Sequence, residues 1–373
     1  MKNILFHRTY TTQDEIDAVA AAIKSGWLTM GPKVMEFEKE FKNYIGSKNA
    51  VMVNSATAAL HLALKAIGLK RDDEVIVPTN TFVATAEVVT YFDAVPVLCD
   101  IEYHTHNIDV SKIEALITKK TKAIIPVHFG GQPCDMDELY TLAKKYNLKI
   151  IEDAAHALPS SYKGALVGNL PSDIVCFSFY ATKTLSTGEG GMATTHNDEY
   201  AKNISTNRLH GISKDVWDRY SGGGWEYDIV DNGNKYNSTD INAALGLSQL
   251  KKLEWMRDKR ASIAKKYDKA FKGKIETLSI KEDRETSYHL YVIKVDNRDE
   301  LYARLKEKGI GTSVHFIPIH KHSYYKKRYN YKEEKYPIAN KVFKKSLSLP
   351  IYPDLSDDDV EFIIENVLKY VKS

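Results

Sequence analysis

From residue 12 onward the chain switches between two hydrophobic periods. Thr12-x-x-Glu15 is a capping-box pattern, and the apolar spacing after it predicts a helix through Ala22. Short continuous apolar runs then recur, each followed by turn residues and helical spacing. Ala50–Val53 predicts a strand, and Ser55-Ala56-Thr57 turns it into the helix AALHLALKAIGL. Glu74–Val77, Pro96–Cys99, Ala123–Val127 and Lys149–Glu152 predict further strands, with helices over Val83–Tyr91, Lys112–Ile117 and Asp137–Tyr146. Continuous apolar runs mark strands covered on both faces. Their alternation with helices predicts an α/β fold around a mostly parallel sheet with right-handed crossovers. Ile174–Phe179 and Gly191–Thr195 predict two more strands, on either side of the stretch ATKTLSTGEG.

The second part of the chain reads differently. From Thr239 a single long helical pattern runs through DINAALGLSQLKKLEWM to Tyr267. Tyr288–Val295 predicts a strand, Arg298–Lys308 a helix, Gly311–Phe316 a strand, and Asp357 to about Val371 a final helix. This predicts a large α/β domain over residues 1–250 and a smaller C-terminal α+β domain over 251–373, joined through the long helix. There are no repeats, low-complexity tracts or Gly/Ser linkers.

Composition narrows the class. With 52 basic and 49 acidic residues mixed along the chain, a dedicated nucleic-acid binder is not expected. The basic, aromatic run KHSYYKKR (321–328) reads as a solvated face rather than a phosphate patch. No segment approaches the ~20 apolar residues of a membrane span, so membrane insertion is not expected. Cys99, Cys134 and Cys176 form no CxxC or zinc spacing, so no metal site is expected, and an odd count without a framework fits a reducing cytoplasm. Asn203-Ile-Ser and Asn237-Ser-Thr are then chance sequons.

Candidate chemistry sits just past the predicted strands, where open parallel sheets bind ligands. Ser55-Ala56-Thr57 at a helix start is either a plain N-cap or a cradle for an anion. There is no GxGxxG or GxxxxGK[ST], so dinucleotide and P-loop sites have no support. Phe82 is either core or a stacking platform for a flat ring. Asp153 ends a buried strand, where a carboxylate is costly unless paired, and His156 follows three residues later. The two read either as a cap with a core histidine or as partners of one ligand. Lys183, five residues after Ser178, is either a solvated loop charge or an amine held to form a Schiff base with a carbonyl. A phosphate cradle, an aromatic, a buried acid, a serine and a lysine together suit a phosphorylated aldehyde with a basic ring nitrogen. Pyridoxal 5'-phosphate (PLP) is that molecule.

Long stretches of the chain also resemble one family. SGWLTMGPKVMEFEKEF (25–41), VNSATAALHLAL (53–64), KAIIPVHFGGQPCDMD (122–137), IEDAAHALPSSYKG (151–164), SFYATKTLSTGEGG (178–191), NKYNSTDINAALGLSQL (234–250), GIGTSVHF (309–316) and SLSLPIYPDLS (346–356) follow the order of motifs in the DegT/DnrJ/EryC1/StrS sugar aminotransferases. The resemblance implies PLP-dependent transferase fold type I, with PLP as cofactor and pyridoxamine 5'-phosphate as its aminated form. It implies that Lys183 carries the cofactor and acts as the base, and that Asp153 holds the ring nitrogen protonated. It places His156 beside the ring, Phe82 stacked on it, and Ala56, Thr57 and Ser178 on the phosphate. Asn237, helped by Lys235, would reach the phosphate of a neighbouring subunit, making a homodimer with a shared site. Thr29, Met30, Gly31 and Tyr180 would line the substrate entrance. His315 and His320 would face the sugar, or be an ordinary strand and loop histidine.

The implied reaction moves an amino group from glutamate to the 4-keto position of a nucleotide-linked sugar. GPK, SATA, IEDAAHA and KYN-x-TDINAA are most similar to the UDP-4-amino-4-deoxy-L-arabinose branch, although the residues around the lysine differ from it. The segment Trp217–Tyr227 lies where family members vary and is read as shaping sugar choice. A pyridoxamine-dependent 3-dehydratase of the same family would carry histidine at the lysine position, and Lys183 argues against it. A catalytically silent member is opposed by the joint presence of Asp153, Ser178 and Lys183.

Overall fold

The structure is a computed structural model that describes residues 2–213 and 226–371. Positions 217–225 of the predicted sugar-choice segment lie outside the described residues. Strands β1 (Asn49–Val53), β2 (Glu74–Pro78), β3 (Val95–Cys99), β4 (Thr121–Ile124) and β5 (Lys149–Asp153) follow the predicted order. A two-residue hairpin, β6 (Ser161–Tyr162) and β7 (Ala165–Leu166), precedes β8 (Ile174–Ser178) and β9 (Gly191–Thr195). Seven of these make one sheet in the order β1-β9-β8-β5-β4-β2-β3. Neighbours from β8 through β3 are parallel, and β9 alone runs against both of its partners. The carboxyl ends of β1, β2, β5 and β8 therefore meet along one edge, together with the start of β9.

Both faces of this sheet are covered, which is why its strands read as unbroken apolar runs. Met52, Ile124, Val175 and Phe177 face one core cluster with Phe37, Phe41 and Phe179. Val51, Val53, Cys176 and Ile174 face the other, beneath the helix Ala56–Ala66. Burying each such aromatic or branched side chain stabilises the fold by about 1.5–3 kcal/mol relative to exposure. A second sheet, β10 (Glu276–Thr277), β12 (Tyr291–Lys294) and β13 (Ser346–Leu349), organises a third cluster. Between β10 and β12, β11 (Arg284–Glu285) pairs instead with β6. Ile4, near the amino terminus, bridges Ile310 and packs into the third cluster, while Ile319, Tyr325 and Val342 pack into the second.

Four local expectations are corrected. The predicted Lys112–Ile117 helix is two three-residue 3-10 turns, Val110–Lys112 and Glu114–Leu116, the first capped by the Asp109 carboxylate. The long helix after Thr239 is two, Asp240–Leu250 and Leu253–Phe271. At the break, the Lys252 ammonium bonds both oxygens of the buried Glu15 carboxylate at 2.9 Å. That tertiary contact overrides a sequence that would otherwise continue the helix. Gly311–Phe316 is not a strand: only Ser313 bridges to Ser348, and the chain then turns inward so that His315 and Phe316 line a cavity. The Tyr288–Val295 strand shortens to Tyr291–Lys294, because Tyr288 takes a left-handed conformation at φ 50°. The helix Pro32–Ile45 was not among the predicted elements, although Val34, Phe37, Phe41 and Ile45 fall on one helical face. It begins at a glycine with no capping side chain, and Asp240 supplies the cap from a distant helix. The carboxylate accepts from the amides of Gly31 (2.8 Å), Lys33 (3.1 Å) and Val34 (3.1 Å).

Candidate active site

The strand edge opens into a cavity of about 460 Å³. One end is a helix N-terminus. Ser55 is the N-cap of Ala56–Ala66, and its hydroxyl accepts from the Ala58 amide at 3.1 Å. The Ala56 and Thr57 amides precede that bond and have no acceptor within the helix, so they suit an anion. Gly191 lies against this turn: a Cβ there would sit 2.5 Å from the Ser55 carbonyl carbon and 2.6 Å from the Ala56 nitrogen. Only glycine lets β9 approach so closely. Ser178 pairs with Gly191 across the sheet and closes the same end.

Asp153, at the end of β5, is buried. Burial raises its pKa, while hydrogen bonds from the Thr85 hydroxyl (2.7 Å) and the Ala155 amide (3.1 Å) oppose the rise. Thr81 in turn bonds Thr85 at 2.8 Å, so the carboxylate is held by a short hydroxyl chain. His156 accepts from the Gly130 amide through Nδ1 at 3.3 Å. That bond places the ring proton on Nε2, and burial pushes the histidine well below its usual pKa, keeping it neutral. Its ring lies 4.3 Å from that of His289 and stacks on Phe316 at 5.9 Å.

Lys183 rides on a loop whose base is a small ladder. Phe179 donates to the Gly190 carbonyl, and Thr187 donates to the Phe179 carbonyl, both at 2.9 Å. The amino-terminal segment holds the tip, with His7 Nε2 (3.1 Å) and the Thr9 hydroxyl (2.6 Å) donating to the Ala181 carbonyl. Burial lowers the Lys183 pKa to about 8, with Asp153 opposing the shift. The amine is thus largely neutral above about pH 8, where a free lysine waits until ~10.4. Reductive methylation of cofactor-free protein across pH, with Lys183 followed by mass spectrometry, is expected to reach half its maximal rate near pH 8. A midpoint at ~10.4, the free-lysine value, would show that burial does not act on this amine. By linkage the folded state sheds this proton first, so stability rises with pH between the folded and unfolded values.

The cavity gathers most of the residues singled out in the sequence. Ala56, Thr57 and Ser178 lie at one end, Asp153, His156 and Lys183 line the interior, and Phe82, Tyr180 and His315 complete the wall. Phe82 is 58% exposed, so it is not a core residue. His315 bonds the Ser348 hydroxyl through Nδ1 at 2.8 Å. Five residues are placed elsewhere. His320 is a satisfied core histidine, with Nδ1 on Thr79 (2.7 Å), Nε2 on Asn340 (3.0 Å) and its ring stacked on Tyr336. Met30 is buried in the first core cluster, Thr29 is exposed, and the Gly31 amide is engaged by Asp240. Asn237 bridges Val53 through its backbone, and its buried Oδ1 has no partner among the described residues.

Sequence reasoning did not find Phe6, His7, His289 or Phe316, which also line the cavity. Phe6 and His7 arrive from the amino terminus, which carries no periodic signal. His289 was concealed inside a predicted strand.

The sequence model of the DegT/DnrJ/EryC1/StrS aminotransferase family matches residues 9–368. The chain is 50% identical over 368 residues to an uncharacterized protein of Methanocaldococcus jannaschii, covering 96% of this chain and 95% of that one. It is 49% identical over 371 residues to the spore coat polysaccharide biosynthesis protein SpsC of Bacillus subtilis, with the same coverage of 96% and 95%. Among solved structures it superposes with TM-score 0.93 on Spr1654 of Streptococcus pneumoniae, a candidate sugar aminotransferase in its PMP form (37% identity, 98% of each chain). It also superposes with TM-score 0.91 on Helicobacter pylori PseC, an aminotransferase of pseudoaminic acid biosynthesis (30% identity, 99% of each chain).

Proposed function

The chain belongs to the DegT/DnrJ/EryC1/StrS aminotransferase family, whose members are PLP-dependent, and we propose that it transfers an amino group from glutamate to a 4-keto sugar carried on a nucleotide. The observation that carries this reading is the meeting of Lys183 and Asp153 in one cavity whose far end is a helix N-terminus. The donor set fits PLP. Ala56 and Thr57 amides with the Ser178 hydroxyl suit a phosphate, Asp153 suits a protonated ring nitrogen, and a lysine with pKa near 8 suits a carbonyl. Bound there, PLP supplies a carbonyl that condenses with amines and a ring that accepts an electron pair.

The chain's residues do the rest. The neutral Lys183 amine would hold the cofactor and, as a free amine, would carry a proton between the substrate α-carbon and the cofactor's exocyclic carbon. Asp153 keeps the ring nitrogen protonated. His156 presents its Nε2–H as a neutral donor toward the cavity. Phe82, Phe316 and Ile351 give the cavity an apolar wall that would limit water around the bound cofactor. Glutamate would leave as 2-oxoglutarate, and the amino group would pass to the sugar's keto carbon. The likeness of GPK, SATA and IEDAAHA to the arabinose branch favours a UDP-linked sugar, and relatives such as SpsC favour a product destined for a surface polysaccharide. Cys99, Cys134 and Cys176, buried and outside any disulfide, support a cytoplasmic enzyme. Among the described residues no helix is long and apolar enough to cross a membrane.

The test is a panel of UDP- and dTDP-4-keto sugars with glutamate, following 2-oxoglutarate release. Turnover of at least one keto sugar, together with bleaching of the protein's visible band by glutamate, is the expected result. A band that glutamate leaves untouched would overturn the reading.

A shared site is part of the same proposal. Asn237 does not line its own chain's cavity, and Ile229 (55%) and Val230 (58%) are exposed beside its loop. Both features support a homodimer in which Asn237 serves the neighbouring phosphate, an isologous arrangement. Mixing inactive Lys183→Ala with an inactive Asn237→Ala variant and allowing subunit exchange is expected to restore activity, because one site of each mixed dimer carries neither lesion. Exchange without recovery would place Asn237 in cis.

A further inference from the structure

Asn242 stands on the first turn of the helix Asp240–Leu250, outside the cavity wall. Its side-chain amide donates to two carbonyls, Thr187 O at 2.7 Å and Glu189 O at 3.0 Å. The amide is held from behind. Thr239, the N-cap, donates its hydroxyl to Asn242 Oδ1, and the same hydroxyl oxygen accepts from the Asn242 backbone amide at 3.2 Å. With Oδ1 engaged by Thr239, the NH₂ group faces the 187–189 turn.

That turn is the return leg of the Lys183 loop. It carries the chain into Gly190, which closes the loop's base on Phe179, and into Gly191, which lies against the Ser55–Ala56 backbone. Its middle residue, Gly188, is in the left-handed region at φ 78° and has no side chain with which to wedge the turn. One amide therefore secures two outward carbonyls of a segment whose next residues form the back of the phosphate end. We propose that Asn242 is a positioning residue that sets the affinity for the cofactor's phosphate by holding Gly190–Gly191 against the helix start at Ala56.

The inference rests on the functional reading above, and it is tested by binding rather than turnover. Asn242→Asp keeps the shape but replaces two donors with an anion facing two carbonyl oxygens. Asn242→Ala removes the contact with less disturbance and keeps the test valid if the Asp variant does not fold. Cofactor-free protein is titrated with PLP, and separately with pyridoxal, which lacks the phosphate, following the visible band. The loss of two donated hydrogen bonds is expected to weaken PLP binding about ten- to hundredfold. Pyridoxal binding should stay within about twofold, and so should kcat at saturating PLP. Asn242→Gln, which keeps the donor on a longer arm, should recover part of the PLP affinity. Equal losses for PLP and pyridoxal, or a lowered melting temperature with PLP affinity intact, would make Asn242 a merely structural residue and overturn the proposal. A wild-type protein that forms no visible band with PLP would overturn the functional reading, and this inference with it.

Discussion

Lys183→Ala is expected to end amino transfer while leaving a folded protein. The half-buried side chain pays a desolvation cost for its charge that Asp153 only partly offsets, so its removal relieves burial. Turnover should fall by at least about 10³-fold, the scale lost with a positioned acid–base group, and further because the same amine is the covalent tether. Borohydride reduction of the wild-type protein followed by peptide mapping should place the pyridoxyl label on Lys183. A label on any other lysine would move the catalytic role away from this loop. The melting temperature of the cofactor-free variant should match or exceed that of the wild type, which separates loss of chemistry from loss of fold.

The second large effect is expected at Asp153→Asn. The amide can still accept from Thr85 or Ala155, so the strand end keeps its shape. It has no negative charge, however, and cannot hold a proton on the ring nitrogen facing it. Each pKa unit lost at that nitrogen is worth about 1.36 kcal/mol, or tenfold. Turnover should drop about 10²–10³-fold, the scale of one preorganised electrostatic contact, with PLP still bound through its phosphate. Near-wild-type turnover with the cofactor in place would remove Asp153 from this role.

The central sheet was legible because burial on both of its faces leaves a plain mark: short apolar runs ending in turn residues, from Ala50–Val53 through Ile174–Phe179. The meeting of Asp153 and Lys183 in one cavity was legible for the opposite reason, as charged groups set at or just past the ends of such runs. What the sequence did not show depends on partners far away in the chain. The helix Pro32–Ile45 is capped by Asp240, and the helix break at Lys251–Lys252 is set by Glu15, neither of which is a neighbour in sequence. His320 was set at the site by family resemblance alone, but Thr79 and Asn340 consume both of its nitrogens. His7 and Phe6 reach the cavity only because the amino terminus bridges Ile310 across the whole fold.

The reversed strand β9 also governs when the site can exist. Val53, just before the helix start that cradles the phosphate end, pairs with Gly191, and Ile4 pairs with Ile310. The pocket is therefore closed by contacts of very high sequence separation, the kind whose loop-closure cost slows folding. During synthesis the first strand, which ends the sheet, must wait without its strand partner until β9 has left the ribosome. The phosphate cradle is thus assembled late, and the cavity is complete only after His315 and Phe316 have emerged. A chain interrupted before β9 would hold an unfinished sheet with unpaired strand edges, a species prone to pair with other chains, and one interrupted later but before His315 would hold the sheet with an incomplete cavity.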